Sequence, residues 1–344
     1  TLPCPLFPNR CLPPPDGPGP TIYVHDGDCT LAGSSDLTSV STTSRRAQDN
    51  PGAAWRAAAK EAGVLAETYE SACAFIHVNP KSSHPCPIYT PLWNNGANHL
   101  MVDFGDISRA ERPEVAGSFA MEAASNVHTC YYRSGYDMSL PLFPHTVFPE
   151  MEPILPEDRR FFVTTKGSVY LTRHGSEERM SLVPLHDEPN GVIMALHCFE
   201  MHDEHLFPEN VDYCEELRAR YDDYDYETLM NTTFGVVPAG RSPGSFRLPE
   251  VMSSGAIPVF VGRDLVPPFR EQFDWESFSF MFSPDEVGPS MLRTLQSVPP
   301  EELREMQKKS LDAYWKIFGG TTNSFETIAR KVVDLLIQRI AYYH

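Results

Sequence analysis

The stretch from Phe234 to Val261, FGVVPAGRSPGSFRLPEVMSSGAIPVFV, constrains the fold more than any other part of the chain. It reads as strand, glycine-rich loop, helix and strand. Pro249 limits where the helix begins, because proline is tolerated only in the first turn, where backbone N–H groups have no carbonyl partner. The helix is therefore expected to start near Ser245 or Phe246. That places Gly240, Arg241, Gly244 and Ser245 at a helix N-terminus, whose free N–H groups and dipole favour an anion such as a diphosphate. Arg247 and Glu250 lie three apart, hence on one helix face. An arginine there can fork onto phosphate oxygens, and a carboxylate one turn on can accept hydrogen bonds from ribose hydroxyls. Together they describe a nucleotide-sugar pocket; the alternative is an intrahelical Arg–Glu ion pair beside a turn.

The rest of the chain repeats this alternation of strand and helix. Strands are expected at Thr21 to Asp26, Cys73 to Val78, His99 to Phe104 and Val127 to Tyr132, with helices at Ala53 to Tyr69 and Phe119 to Ser125. A proline-rich stretch, Pro141 to Pro156, reads as a linker. Beyond it come strands at Phe161 to Thr165, Val192 to His197, Phe234 to Val237 and Ile257 to Val261, with helices from Ser176 and Ser245. Alternation of this kind predicts α/β domains with largely parallel sheets. Two are expected, residues 1–150 and 151–344, doubly wound and facing a cleft. The last helix starts at Asn323, carries an apolar stripe of Phe325, Ile328, Val332, Leu335 or Leu336, and Ile340, and is expected to face a core, packing back on the first domain as one option. The first 20 residues contain eight prolines and read as an extended lead-in.

The formal net charge of −18 argues against nonspecific binding to nucleic acid or anionic membrane, which needs a basic face. Half of it lies between Glu200 and Glu227, where eleven carboxylates meet two arginines, and this reads as a solvated surface excursion. No apolar run reaches the ~18 residues of a membrane span. The chain starts at Thr1 rather than Met, which leads to the expectation of an upstream signal peptide or anchor removed by processing. Eight cysteines show no C-x-x-C pair; Cys4 with Cys11, and Cys198 with Cys214, flank loops as staples would. With the glycosylation triplet at Asn231, they point to the secretory pathway, in the lumen of the Golgi or endoplasmic reticulum.

Several blocks carry a family resemblance. Gly240-Arg241, Gly244-Ser245-Phe246-Arg247, Glu250 and Ile257-Pro258-Val259 resemble the loop, helix and strand of the exostosins, glycosyltransferase family 47. Tyr224-Asp225-Tyr226-Glu227 before Asn231 fits the animal exostosins. So do Leu92-Trp93-Asn94-Asn95-Gly96-Ala97-Asn98-His99-Leu100, Asp137-Met138-Ser139-Leu140-Pro141-Leu142-Phe143, and Tyr170-Leu171-Thr172 with Gly175-Ser176 and Arg179. The resemblance implies a GT-B fold of two Rossmann-like domains and inverting transfer of a sugar from a UDP-sugar to a glycan or glycoprotein acceptor. UDP-glucuronic acid is the animal-like donor, with UDP-galactose, UDP-xylose and UDP-arabinose as alternatives. It puts Arg179, Gly240, Arg241, Gly244, Ser245, Arg247 and Glu250 on the donor. Asp137 is the leading candidate for the base, followed by His99, while Trp93, Asn94 and Asn95 shape the acceptor side or a turn.

The chain departs from the family pattern at Ser242, where the heparan-elongating exostosins carry a second arginine, and at Gly235 and Ala256, where they carry paired cysteines. It shows one such unit and not the second, GT-A-type domain of the two-domain exostosins. Two D-x-D triplets, Asp26 to Asp28 and Asp223 to Asp225, are common in so acidic a chain, and arginines can neutralise a diphosphate, so no metal or other cofactor is expected. A catalytically silent domain that stabilises a partner transferase or binds glycan is the competing reading, and homo- or hetero-oligomers stay open. An ordinary nucleotide-binding enzyme finds no G-x-G-x-x-G or P-loop to support it.

Overall fold

The computed structural model describes residues 20–25, 52–68, 71–79, 93–104, 118–143, 146–148, 154–170, 176–199, 211–240, 243–319 and 324–343. Expectations for the proline-rich lead-in with Cys4 and Cys11, for Asp26 to Asp28, and for Arg241 lie outside them. The chain divides into two units: Thr1–Val127, Tyr131–Leu140 and Asn323–His344 form unit 1, and His128–Cys130 with Pro141–Thr322 form unit 2.

In chain order the strands are β1 Ile22–His25, β2 Ala74–Asn79, β3 His99–Asp103, β4 Met121–Ala124, β5 Met138–Ser139, β6 Phe161–Val169, β7 Val192–Cys198, β8 Thr232–Pro238, β9 Ile257–Val261 and β10 Phe280–Phe282. The helices are α1 Ala53–Glu61, α2 Ser176–Met180, α3 Val211–Asp222, α4 Arg247–Ser253, α5 Pro289–Gln296, α6 Pro300–Phe318 and α7 Ser324–Tyr343.

Unit 1 is a parallel sheet in chain order, β1-β2-β3-β4-β5, in register at Ile22 with Ala74, Phe75 with His99, Leu100 with Met121, and Ala123 with Met138. Helices α1 and α7 pack together through Trp55, whose ring meets Phe325 edge-on at 4.6 Å. Along α7, Ile328, Val332, Leu336 and Ile340 are buried, the stripe its sequence carries. At roughly 1.5–3 kcal/mol for each buried side chain, this stripe outweighs the exposed Arg330–Glu61 ion pair of the same helices, which is worth about 0–1 kcal/mol.

Two expectations for unit 1 and its edge are corrected. The segment Phe119 to Ser125, rich in the helix formers Ala, Met and Glu, contains strand β4, which is buried throughout and hydrogen-bonded between β3 and β5. Tertiary pairing overrides a weak intrinsic preference there. The strand expected at Val127 to Tyr132 is instead a turn, attached by a single bridge from His128 to Leu265.

Unit 2 is also a parallel sheet, but its order is β10-β9-β8-β6-β7. The chain winds outward one way from β6 to β7, then returns past β6 to lay down β8, β9 and β10. This reversal is a topological switch point, and in open α/β sheets ligands bind beside it at the carboxyl ends of the strands. Here those ends are Val169 of β6 and Pro238 of β8. Two parallel α/β units are the composition of the expected GT-B fold.

The acidic stretch of unit 2 is not simply a loop. Its second half forms α3, anchored to the end of β7 by the Cys198–Cys214 disulfide. A Cβ at Gly235 of β8 would lie 2.5 and 2.6 Å from the two γ-carbons of Val251, so the missing side chain lets α4 press directly onto the strand.

Candidate active site

Two arginines of unit 2 stand near its switch-point strands, Arg179 against their carboxyl ends and Arg247 on the helix that follows β8. Arg179, on α2, lies between the carboxyl ends of the two diverging strands: its Nε donates to the Ala239 carbonyl at 3.0 Å and its Nη1 to the Ser168 carbonyl at 2.6 Å. The Tyr170 ring sits against the guanidinium, with 5.2 Å between the guanidinium carbon and the ring centroid. Burial lowers the Arg179 pKa from its ordinary value.

Arg247 begins α4 immediately after the glycine-rich loop, with Phe246 at the N-cap position and the Leu248 N–H reaching back to the Ser245 carbonyl. Its side chain is 5% exposed, yet none of its three guanidinium nitrogens has a hydrogen-bond partner among the described residues. It rests instead on the face of Tyr226, 5.0 Å from the ring centroid. Glu250, 4% exposed, accepts a hydrogen bond from the Tyr226 hydroxyl. Arg247 and Glu250 share a helix without forming an ion pair, so the intrahelical Arg–Glu pair is not what the structure holds. Phe148 stacks on Tyr226, with 6.4 Å between the ring centroids.

A second buried arginine in the same unit shows the difference. Arg159 donates from Nε to the Ile154 carbonyl, from Nη1 to Met230 and from Nη2 to Ser254, each at 3.0 Å. Burial lowers its pKa to about 10, and every nitrogen of its guanidinium is engaged. One buried cation is fully satisfied by backbone carbonyls; the other is desolvated and unmatched. A guanidinium left this way is destabilising unless an anion completes it.

Tyr226 is the residue that sequence reasoning passed over as a member of the site. Burial, opposed by the Arg247 guanidinium and reinforced by the Glu250 carboxylate, pushes its phenol up to about 12, so it is a neutral donor at physiological pH. The Asp223 to Asp225 triplet in the same turn has a local duty. Asp225 accepts the N–H groups of Glu227 and Thr228, both at 2.9 Å, and the Thr228 hydroxyl, which caps the turn that carries Tyr226.

In unit 1 the expected base residues occupy the amino-terminal edge of the sheet. Asp137 precedes β5, and its 1%-exposed carboxylate accepts the Glu122 N–H at 2.9 Å, the Arg133 N–H at 3.0 Å, and two guanidinium contacts from Arg133 at 2.8 and 2.6 Å. Asp137 thus lies at the opposite edge from the strands' carboxyl ends, where ligands bind in open α/β sheets, and it serves as a strut that ties the turn before β5 to β4. His99 opens β3 and is fully buried, stacked on Phe75 at 4.6 Å and meeting Trp93 edge-on at 4.8 Å. Asn94, Asn95, Gly96 and Asn98 have φ of 41°, 52°, 81° and 65°. These left-handed positions suit Asn and Gly, and they show the Trp93-Asn94-Asn95-Gly96 block building the turn that leads into β3. The carboxyl edge of this sheet instead holds Asp103, Ser125 and Asn126, all buried.

His99 forms a buried pair with His77, Nδ1 to Nε2 at 2.7 Å. Burial, with His99 and His25 adding to it, holds the His77 pKa well below 6.5. The unfolded chain therefore binds a proton there that the folded chain refuses, and stability falls as pH drops below about 6.5. The expected slope is about 1.4 kcal/mol per pH unit for this one proton. Urea titrations between pH 7.5 and 5 should show that slope lessened in His77→Leu; an identical slope in both proteins rules the pair out as its source.

At Asn231 the side-chain oxygen accepts the Arg160 N–H at 3.1 Å, and the Thr233 hydroxyl donates to the Pro156 carbonyl at 2.8 Å. The glycosylation triplet is thus folded into the start of β8. Among the described residues, no helix is long and apolar enough to cross a membrane.

The family model "Exostosin GT47 domain" matches residues 87–298. The chain is 30% identical over 266 residues to Exostosin-1 of Drosophila melanogaster, covering 74% of this chain and 34% of that protein. It is 28% identical over 264 residues to the Exostosin-1 homolog of Caenorhabditis elegans, covering 72% of this chain and 66% of that one. It therefore spans about a third of the length of the fly protein. Among solved structures it is similar to AviGT4, a glycosyltransferase involved in avilamycin A biosynthesis, at 14% identity and TM-score 0.40, covering 94% of this chain and 98% of that one. The fold assignment rests on the two parallel sheets and not on this likeness. With the family model matched over more than half of its length, and the loop and helix of Arg247 and Glu250 inside the match, the chain belongs to the exostosin GT47 family.

Proposed function

We propose that this protein is an inverting glycosyltransferase that moves a sugar from a UDP-sugar to a glycan or glycoprotein acceptor. The observation that carries the reading is Arg247, a buried guanidinium whose nitrogens find no hydrogen-bond partner at the head of a helix beside a switch point. A diphosphate oxygen satisfies such a group, and charge-assisted bonds of this kind are the strong ones in a water-poor site. The family resemblance assigns Arg179 and Arg241 to the diphosphate with Gly240, Gly244 and Ser245, and in this reading Glu250, which accepts a hydrogen bond from Tyr226, takes the ribose hydroxyls.

In the transfer, the acceptor oxygen bonds to the anomeric carbon while the bond from that carbon to UDP breaks. The electron pair leaves on the phosphate oxygen, where the guanidinium groups meet the new charge, and the acceptor proton passes to a base. The arginines take the part a divalent ion plays in other transferases, so transfer is expected to persist in EDTA. The donor best supported by the family likeness is UDP-glucuronic acid, ahead of the galactose, xylose and arabinose derivatives. The Cys198–Cys214 disulfide and the family support a secretory-pathway setting, the Golgi lumen foremost, and assembly with a second transferase belongs to the same reading.

The test is UDP release measured with a panel of UDP-sugars and simple glycan acceptors. One donor should stand out and require acceptor. UDP-sugar binding without release across the panel would instead mark a silent domain that supports a partner, and failure to bind any uridine nucleotide would overturn both.

A further inference from the structure

We propose that His128, Cys130 and Asp264 form a zinc site in unit 2 that shares no residue with the donor pocket. One ligand atom from each of the three lies within 4.8 Å of the others. The imidazole Nε2 of His128 is 3.3 Å from the Asp264 carboxylate. Zinc bonds of about 2.0–2.3 Å to nitrogen, oxygen and sulfur put tetrahedral ligand atoms roughly 3.3–3.8 Å apart, so the three need to close by about 1 Å. The side chains of His128 and Asp264 are 33% and 42% exposed, which leaves an ion a path in and the side chains room to move.

The two ligand-bearing segments are held against each other before any ion arrives. His128 pairs with Leu265 through an antiparallel bridge, and the Thr129 N–H donates to the Asp264 carbonyl at 2.9 Å. The Thr129 hydroxyl donates to Asp264 Oδ1 at 2.8 Å, which orients the carboxylate as an outer-shell hydrogen bond does in metal sites. Asp264 itself adopts φ of +58°, a conformation that the surrounding contacts must hold.

The donor set selects the ion. Cys130 is an exposed free thiol, whereas Cys73, Cys198 and Cys214 are disulfide-bonded. A thiolate with an imidazole and one carboxylate suits zinc and excludes magnesium and calcium, which require oxygen cages. On binding, the Cys130 thiol gives up its proton to solvent, the imidazole ligates as the neutral ring, and Asp264 supplies an oxygen. Three protein ligands leave the fourth position for water.

Cobalt(II) titrated into the purified full chain is the direct probe. The expected result is one equivalent bound, with a thiolate-to-cobalt charge-transfer band in the near ultraviolet and the visible bands of four-coordinate cobalt, all erased by one equivalent of zinc. Cys130→Ser should remove the charge-transfer band, and His128→Ala and Asp264→Ala should each weaken zinc binding by more than the roughly 10-fold loss expected for Thr129→Val, which removes only an outer-shell bond. A charge-transfer band that survives Cys130→Ser, or zinc affinity unchanged in all these variants, overturns the site. UDP affinity is expected to be the same in the zinc-free protein and in each variant, so the result is independent of the transferase reading.

Discussion

Arg247→Ala should weaken UDP binding by roughly 30- to 5,000-fold while leaving the protein at least as stable as before. The two halves of this expectation have one cause. The guanidinium is buried without hydrogen-bond partners among the described residues, so in the free protein it contributes desolvation cost and little compensation. Removing it relieves that cost, apart from its contact with the Tyr226 ring, and the thermal midpoint should hold or rise. In the complex the same group makes charge-assisted bonds to the diphosphate, and losing a desolvated charge pair of this sort costs about 2–5 kcal/mol, or roughly 30- to 5,000-fold in affinity. Calorimetric titration of UDP together with a thermal melt reads both. Unchanged UDP affinity refutes the donor assignment; a large drop in melting temperature shows that Arg247 is a structural residue like its neighbour.

That neighbour gives the second expectation, with the opposite outcome. Arg159→Met should destabilise unit 2 by about 2–5 kcal/mol, since buried carbonyls lose their donor and each uncompensated one costs about 1–3 kcal/mol. The carbonyls are those of Met230 and Ser254 above all, because Ile154 keeps a bond from Gln307 at 2.9 Å. Ser254 closes the carboxyl end of α4, so Arg159 secures the helix whose first turn carries Arg247. Below the melting transition, UDP affinity of the variant should be within a few-fold of the parent. A variant that melts with the parent would mean those carbonyls are readily rehydrated, and the contrast between the two arginines would fail.

How much of this was legible beforehand varies by residue, for physical reasons. Strands β7, β8 and β9 announce themselves as largely apolar runs flanked by Gly, Pro or Asn, and the helix after the loop carries Pro249 in its first turn and Gly255 just past its end. The Asn94-Asn95-Gly96 turn is equally readable, since left-handed backbone suits those residue types. Strand β4 was not, because Met121-Glu122-Ala123-Ala124 has helical preferences and becomes a strand only where β3 and β5 offer their edges. Asp137 illustrates a different limit: its block matches the family, but which edge of the sheet it occupies, and that Arg133 claims its carboxylate, follow from the fold.

Local spacing by itself determined that this chain builds parallel α/β units and that Arg247 and Glu250 share one face of one helix. A 3.6-residue repeat and the exclusion of proline from helix interiors act over a few residues, so a linear string carries them in full. Only the tertiary structure decided that Arg247 is buried and unmatched, that Tyr226, 24 residues before Glu250, supplies its hydrogen bond, and that Thr129 and Asp264, 135 residues apart, hold one cluster together. Those relations depend on burial and on which strand ends meet at a switch point, and these are set by packing among distant segments.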